Sequence, residues 1–169
     1  MLKYVDTKVV MSEIPDVITL AVNISNCPNN CKGCHSTYLQ EDIGNDLDKI
    51  ALDKLISKNL GVDCICFMGG DNNPLTIVSM AKYIKENTDL LVGWYSGKKD
   101  INKDVLMNLK YFNFIKVGPY IEELGPLNNP NTNQRMYEVE MSKEIDETGS
   151  PIYGLVDITN KFWKNEIKF

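Results

Sequence analysis

Histidine and arginine are almost missing from this sequence, which contains one of each, His35 and Arg135, among 169 residues. A metal site with two imidazole ligands, or a proton relay of several histidines, therefore cannot be built from this chain. No basic run with interleaved aromatic residues occurs, and the net charge is −5. Because binding along a phosphate backbone needs a cationic surface, we expect no nucleic acid partner.

Long hydrophobic runs are also missing from the chain. The longest apolar-looking stretch, Val17 to Val22, is far too short to cross a bilayer. The first 15 residues mix Lys3, Asp6, Lys8 and Glu13 with apolar residues and lack the unbroken apolar core of a signal peptide. We therefore expect a cytoplasmic protein with no membrane partner.

What the chain does contain is the composition of an ordinary globular domain, with 43% hydrophobic and 24% charged residues. A chain of this length can bury one continuous core without disulfides. No linker, internal repeat or low-complexity segment interrupts it. We expect a single domain over 1–169, with a core from about 15 to 140 and a C-terminal extension from about 141 to 169.

Apolar strand-like segments alternate with segments of helical periodicity. The pattern predicts strands over 17–24, 63–68, 90–95 and 114–117, with helices around 47–55, 73–84 and 105–109 between them. We expect Asn45 or Asp46 to cap the first helix, Gly61 to end it, and Asn73-Pro74 to start the second. Two terminal strands are predicted over 134–139 and 152–158. This alternation indicates an α/β fold with a parallel sheet, open or curled toward a barrel.

Unusual segments follow each of the four predicted parallel strands. They are the cysteine loop after the first strand, Gly69-Gly70-Asp71 after the second, Ser96-Gly97 after the third, and Gly118-Pro119 after the fourth. Loops at the carboxyl ends of parallel strands gather at one edge of the sheet, where ligands bind. We therefore expect these segments to form one site.

Three of the five cysteines lie within eight residues, in the segment Cys27-Pro-Asn-Asn-Cys31-Lys-Gly-Cys34. Thiolates are soft ligands that suit iron–sulfur clusters or zinc. Three of them can hold three irons of a cubane and leave the fourth iron open to a small molecule. The alternatives are a zinc ion held by the three cysteines and His35, although adjacent Cys34 and His35 would strain to reach one ion, and a clustering without a shared ligand.

The other two cysteines have a different environment. Cys64 and Cys66 are two apart in a predicted strand, so their side chains point to the same face of the sheet. We expect them to be small core residues rather than ligands.

The C-x₃-C-x₂-C spacing on the loop after the first predicted strand resembles the radical S-adenosylmethionine superfamily. The resemblance implies a [4Fe–4S] cluster held by Cys27, Cys31 and Cys34, with the methionyl group of S-adenosylmethionine on the open iron. One electron from the cluster then cleaves the cofactor to methionine and a 5′-deoxyadenosyl radical. The resemblance also implies which residues contact the cofactor: Gly33, Cys34, His35, Gly69, Gly70, Asp71 and Ser96. In it, Gly69-Gly70-Asp71 offers backbone carbonyls to the amino group, His35 lies near the adenine, and Ser96-Gly97 faces the ribose or methionine part.

A closer resemblance is to the activating proteins of anaerobic ribonucleoside-triphosphate reductases. It rests on Cys31-Lys-Gly-Cys34, Trp94-Tyr-Ser-Gly97, Gly118-Pro-Tyr-Ile-Glu-Glu-Leu124 and Thr132-Asn-Gln-Arg135, and covers about residues 15 to 140. It implies an oxidoreductase that takes a hydrogen atom from a glycine of the reductase and leaves a glycyl radical, with a flavodoxin or ferredoxin as electron donor. The implied fold is a truncated parallel β/α barrel with a short C-terminal β extension. Two departures are Val117, where relatives often carry Asp, and Asn72-Asn73, which lengthens the Gly-Gly-Asp-Pro form.

The sequence is compatible with several other functions. The chain could activate a formate-lyase-type glycyl radical enzyme or act on a small molecule, or it could be a zinc-bound module without catalysis. Arg135 could bind the methionine carboxylate or an acidic patch on the reductase, or be a surface arginine. No side chain is assigned as a general base, because hydrogen-atom abstraction does not require one.

Overall fold

The structure of the protein is a computed structural model that describes residues 1–163. The strands are β1 (Lys3–Val10), β2 (Thr19–Ile24), β3 (Asn45–Asp46), β4 (Cys64–Met68), β5 (Leu91–Tyr95), β6 (Phe114–Val117), β7 (Arg135–Ile145) and β8 (Pro151–Asp157). The α-helices are α1 (Lys49–Lys58), α2 (Pro74–Asn87) and α3 (Lys103–Leu106), and short 3₁₀ helices span Thr37–Gln40, Leu109–Tyr111 and Thr159–Trp163. Residues 164–169 of the predicted C-terminal extension lie outside the described residues.

The strands of this part of the chain form one mixed sheet in the order β3-β1-β2-β4-β5-β6-β7-β8. Its centre is parallel, since β2, β4, β5 and β6 pair with one another in the same direction. The outer strands pair antiparallel on both sides. The central strands are buried along nearly their whole length, as parallel strands covered on both faces must be. The prediction of an α/β fold with a parallel sheet is confirmed for the centre of the sheet.

Polar side chains at the helix starts satisfy backbone N–H groups that have no partner within the helix. Asn73 caps α2, where its side-chain oxygen accepts a hydrogen bond from the Thr76 amide, and Pro74 follows at the first helical position, as predicted. The predicted cap of α1, Asn45 or Asp46, was wrong by two or three residues, because Asp48 is the cap and accepts from the Ala51 amide at 2.7 Å. Asn45 and Asp46 instead form β3, and α1 ends at Lys58, before Gly61.

The sheet separates two hydrophobic clusters, because alternate residues of a strand point to opposite faces. Ile65 and Phe67 of β4 belong to the larger cluster, which includes the buried residues of α1 and α2. Cys64 and Cys66 belong to a smaller cluster on the other face, with Ile14, Leu127, Met136 and Ile158. Both thiols are fully buried and free, which confirms the prediction that they are core residues.

The strand β1 was not predicted from the sequence. Its polar and apolar residues follow no regular period, and all of them are half-buried or exposed. It is held by antiparallel pairing with the largely buried β2, so the residues of β1 need no hydrophobic pattern of their own. The first predicted strand is therefore β2, the second along the chain and the third in the order of the sheet.

The terminal hairpin is longer than predicted on its first strand. β7 continues to Ile145, six residues beyond the predicted end, and residues 140–152 are exposed. A turn around Asp146 closes the hairpin, and its carboxylate accepts hydrogen bonds from Thr148 and Ser150. These bonds lower the pKa of Asp146, because they stabilise the ionised carboxylate.

The longest helix of the described residues, α2, has 14 residues. In residues 1–163 no helix has both the length and the apolar character needed to span a membrane.

Candidate functional site

A cavity of about 190 Å³ lies at the carboxyl ends of the parallel strands. Its lining comes from all four of these strands and the loops that follow them. The lining includes Cys27, Asn29, Cys31, Cys34, Ser36, Gly69, Asp71, Tyr95, Ser96, Gly97, Lys116, Tyr120 and Gln134. The structure therefore brings the cysteine loop, the segment after β4 and the segment after β5 to one site, as the strand-end rule predicts.

A larger cavity of about 420 Å³ lies near the amino ends of the parallel strands. Its polar lining consists of Asp16, Asp63 and Asp89, and no cysteine takes part. It shares no residue with the cavity that contains the thiols, so the smaller cavity is the candidate site.

The cysteine loop makes sharp turns at residues that tolerate a left-handed backbone. Asn26, Asn30 and Gly33 have φ angles of 57°, 46° and 75°. The base of the loop is fixed by backbone hydrogen bonds, from the Asn26 amide to the Glu41 carbonyl and from the Cys27 amide to the Leu39 carbonyl, both 2.9 Å. The start of the cysteine loop is thus bonded to the residues that follow the loop, Leu39 and Glu41.

The thiols of Cys27, Cys31 and Cys34 are free and half-buried, and all three face the same cavity. Two of the sulfurs receive N–H donors: the Asn29 side-chain amide lies 3.6 Å from Cys27 Sγ, and the Ser36 backbone N lies 3.4 Å from Cys34 Sγ. Donors of this kind stabilise the thiolate form that binds iron or zinc.

In residues 1–163, no group of three or more histidine, cysteine, aspartate or glutamate side chains is arranged to hold a metal ion. A single ion needs its ligands gathered around one point, whereas a cubane cluster takes each thiolate on a different iron. The three thiols that share this cavity are soft donors, which is the donor chemistry that a cubane cluster requires. His35, which the zinc alternative requires, is exposed and lies against the Tyr120 ring with centroids 5.4 Å apart.

The carboxylate of Asp71 ties the cysteine loop to the end of β5. One oxygen accepts from Ser96 Oγ at 2.5 Å, and the other accepts from the Gly97 amide at 2.8 Å and from Asn29 Nδ2 at 2.6 Å. Asp71 lines the cavity, as predicted for a site residue, but both of its oxygens already have protein donors. We call Asp71, Asn29, Ser96 and Gly97 the Asp71 network.

The two glycines after β4 have different surroundings. Both have a positive φ, 109° at Gly69 and 96° at Gly70. Gly69 lines the cavity, and its carbonyl accepts from the Trp94 indole at 2.9 Å. Gly70 is buried against α2, where an added Cβ would lie 2.6 Å from Ile77 Cδ1, and its carbonyl accepts from the Asn73 amide. Gly70 is not among the lining residues of the cavity, whereas the Gly69 carbonyl belongs to a lining residue and has a second lone pair that can accept from a ligand.

The remaining predicted residues lie at the cavity or beside it. Ser96 is buried and lines the cavity, and Cys34 is one of the three thiols. Gly33 and His35 are exposed and are not among the lining residues. Gly33 instead faces Glu122 and Tyr120, since an added Cβ would lie 3.2 Å from Glu122 Oε2.

Sequence reasoning missed Lys116, which is 7% exposed and lines the cavity from β6. Its ammonium donates to the carbonyls of Gly118 at 2.8 Å and Ser96 at 3.3 Å. Burial lowers the pKa of Lys116 to about 8, and the negative charges of Cys31 and Asp71 offset part of that effect. The available signal was a lysine inside the apolar strand Phe114-Ile-Lys-Val117, close to the strand end.

The Thr132-Asn-Gln-Arg135 segment contributes one residue to the cavity, Gln134, which is 6% exposed. Asn133 donates to the Pro119 carbonyl, and its own side-chain oxygen is buried without a hydrogen-bond partner within residues 1–163. Arg135 donates to the carbonyls of Thr132 and Gln134 and lies 3.7 Å from an Asp157 oxygen. Arg135 does not line the cavity. Its hydrogen bonds stabilise the segment that directly precedes it.

Comparison of the chain with family models, with curated proteins and with solved structures finds no match.

Proposed function

We propose that this protein is a radical S-adenosylmethionine activase that generates a glycyl radical on an anaerobic ribonucleoside-triphosphate reductase. One observation carries the proposal: three thiols on one short loop share a cavity with the segments that follow β4 and β5, at the carboxyl edge of a parallel sheet. That edge is where α/β folds bind ligands, and a half-buried set of three thiolates is suited to an iron–sulfur cluster with one open iron.

Cys27, Cys31 and Cys34 would hold the [4Fe–4S] cluster. When bound, the cluster supplies the electron that cleaves S-adenosylmethionine at its open iron. The half-buried position of the thiols and the N–H donors to Cys27 and Cys34 support this assignment. No other cysteine of the chain competes for this role, because Cys64 and Cys66 are buried in the core.

The cofactor would bind in the cavity beside the thiols, against Gly69, Asp71 and Ser96. The second lone pair of the Gly69 carbonyl would accept from the ammonium group of the cofactor, with Gly70 supporting this turn from behind, and Asp71 holds the two loops together. Lys116 is the one basic side chain that lines the cavity in the described part of the chain, which makes it the natural partner for a carboxylate. Gly33 and His35 stand at the exposed rim, where His35 and Tyr120 offer aromatic faces to an adenine.

The fold we propose around the site is a truncated parallel β/α barrel with a short C-terminal β extension. In its support, the sheet runs from β3 to β8 without these two edge strands pairing in residues 1–163. An open side lets a loop of a partner protein reach the cavity, and a glycine on such a loop is the substrate we propose. We further propose a flavodoxin or ferredoxin as electron donor and the cytoplasm as the location.

Anaerobic purification gives the first test of the proposed function. We expect a brown protein with about four irons and four sulfides, as for a cubane cluster. The Cys31→Ala variant should lose most of this iron, and the Cys64→Ala variant, which removes a core thiol, should keep it. A colourless protein that carries zinc would overturn the proposal.

The second test identifies the substrate. The reduced protein, S-adenosylmethionine and the candidate reductase are mixed, and the glycyl radical is measured by electron paramagnetic resonance. We expect a radical on the wild-type reductase and none on a variant whose radical-bearing glycine is alanine. Cleavage of S-adenosylmethionine without a radical on the reductase would favour a formate-lyase-type or small-molecule substrate instead.

A further inference from the structure

The side-chain amide of Asn29 stands between a sulfur and a carboxylate. Its nitrogen lies 3.6 Å from Cys27 Sγ and 2.6 Å from an Asp71 oxygen. A primary amide has two N–H groups, so it can donate to both partners at once. Neither the cysteine spacing nor the resemblance assigns a role to this residue.

The protein holds this amide in one place from three sides. Asp71 accepts from it, and Ser96 and Gly97 fix the same carboxylate. Gly97 also packs directly against it, since an added Cβ at position 97 would lie 2.4 Å from Asn29 Nδ2. The φ angle of Gly97 is not positive, so close approach rather than backbone conformation is what requires glycine here.

We propose that Asn29 is a positioning and tuning residue for the cluster, and that its amide sets the reduction potential through its hydrogen bond to the Cys27 sulfur. The inference rests on the proposed function. Reduction adds one electron to the cluster, and the added negative charge spreads onto the thiolate sulfurs. An N–H donor to sulfur stabilises the reduced form more than the oxidised form, so it raises the potential. The Asp71 carboxylate orients the donor.

The experiment compares reduction potentials of reconstituted proteins, measured by dithionite titration with mediator dyes and electron paramagnetic resonance. Asn29→Leu keeps the approximate side-chain volume and removes both donors, so we expect its potential to become more negative than that of the wild type. Gly97→Ala leaves Asn29 in the sequence and displaces its amide, so we expect a shift of the same sign. Asn72→Leu makes the same substitution at an exposed neighbouring position and should leave the potential unchanged.

The possible outcomes separate this inference from the proposed function. A wild-type protein that assembles no cluster overturns both. A wild-type protein with a cluster, and variants whose potentials equal that of the wild type, overturn the role of Asn29 alone. Folded variants that fail to assemble any cluster also overturn it, because the amide would then be needed for assembly rather than tuning. More negative potentials in both variants, with Asn72→Leu unchanged, support it.

Discussion

The indole nitrogen of Trp94 donates a hydrogen bond of 2.9 Å to the carbonyl oxygen of Gly69. Trp94 is 1% exposed and belongs to the larger hydrophobic cluster, so a core residue of β5 fixes the first residue of the segment after β4. The position of the cavity wall therefore depends on the packing of the core.

Replacing Trp94 by Phe should destabilise the fold by about 2–4 kcal/mol, because it leaves the Gly69 carbonyl without this donor and removes part of a buried ring. Urea unfolding followed by far-UV circular dichroism measures the loss. Trp163→Phe is the matched control: Trp163 also donates to a backbone carbonyl, that of Leu127, but it is only half-buried. Trp163→Phe should lose clearly less stability than Trp94→Phe, and equal losses of stability in the two variants would contradict the role assigned to Trp94.

The Asp71 network predicts a coupling between the sheet and the cysteine loop. Asp71→Asn leaves one acceptor oxygen for three donors and places an amide against N–H groups. We expect a loss of about 1.5–3 kcal/mol of stability, the range for hydrogen bonds to a charged group. We also expect faster amide hydrogen exchange in residues 27–34, measured by mass spectrometry on the metal-free protein.

An exposed aspartate provides the control for this substitution. Asp53 lies on the surface of α1, and among residues 1–163 it accepts only from the Tyr83 hydroxyl. Asp53→Asn should change stability by less than about 0.5 kcal/mol and leave exchange in the cysteine loop unaltered. Unaltered loop exchange in Asp71→Asn as well would show that the network does not hold the loop.

The two classes of cysteine should differ in reactivity in the metal-free protein. Burial raises the pKa of Cys64 to about 12, so at pH 8 only about one molecule in ten thousand carries its thiolate. Burial also raises the pKa of Cys66 well above its ordinary value. The thiols of Cys27, Cys31 and Cys34 are half-buried and face a cavity.

Iodoacetamide at pH 8 should therefore alkylate three cysteines at least about 100-fold faster than the other two. Peptide mass spectrometry identifies the modified residues, and denaturation in urea before labelling should abolish the difference. Rapid labelling of Cys64 in the folded protein would contradict its place in the core.

Much of this fold could be predicted from local patterns in the sequence. The central strands are short apolar runs, and the Asn73-Pro74 cap and the shared face of Cys64 and Cys66 follow from local rules. β1 could not be predicted in this way, because pairing with β2 rather than its own pattern stabilises it. The cap of α1 was misplaced because three candidate residues, Asn45, Asp46 and Asp48, stand within four positions.

The strand-end rule correctly predicted which loops meet at the site, but it could not predict the hydrogen bonds between them. The hydrogen bond from Asn29 to Asp71 joins residues 42 positions apart, and Ser96 to Asp71 joins residues 25 apart. Such pairings depend on the register of neighbouring strands, which the sequence pattern does not specify here because these strands are buried on both faces and do not alternate. Lys116 was overlooked for the same reason, since only the folded structure shows that its ammonium reaches two backbone carbonyls.

Lys116 predicts a pH dependence of stability in the metal-free protein. Burial lowers its pKa from 10.5 to about 8, although the charges of Cys31, Asp71, Glu13 and Cys27 oppose the shift. Below pH 8 the ammonium is charged in both the folded and the unfolded chain, and the folded state bears the cost of burying it. Between pH 8 and 10.5 the folded lysine is neutral while the unfolded one stays protonated. The unfolded state then binds more protons, so the contribution of Lys116 to stability rises with pH, by up to roughly 3 kcal/mol.

Lys116→Met keeps the apolar stem and removes this titration. Burial also raises the pKa values of Cys64, Cys66 and Tyr95, and these groups lower the stability of the protein at high pH. The useful quantity is therefore the difference in free energy of unfolding between the wild type and the variant. We expect the free energy of unfolding of the wild type, relative to Lys116→Met, to increase steadily from pH 8 to pH 10. The control is Lys82→Met, which replaces an ammonium on the solvent side of α2, where it lies near Glu86, and should give a constant difference. A constant difference for Lys116→Met would mean that water reaches the ammonium in the folded protein, and the cavity would then lack the buried cation that we assign to a carboxylate partner.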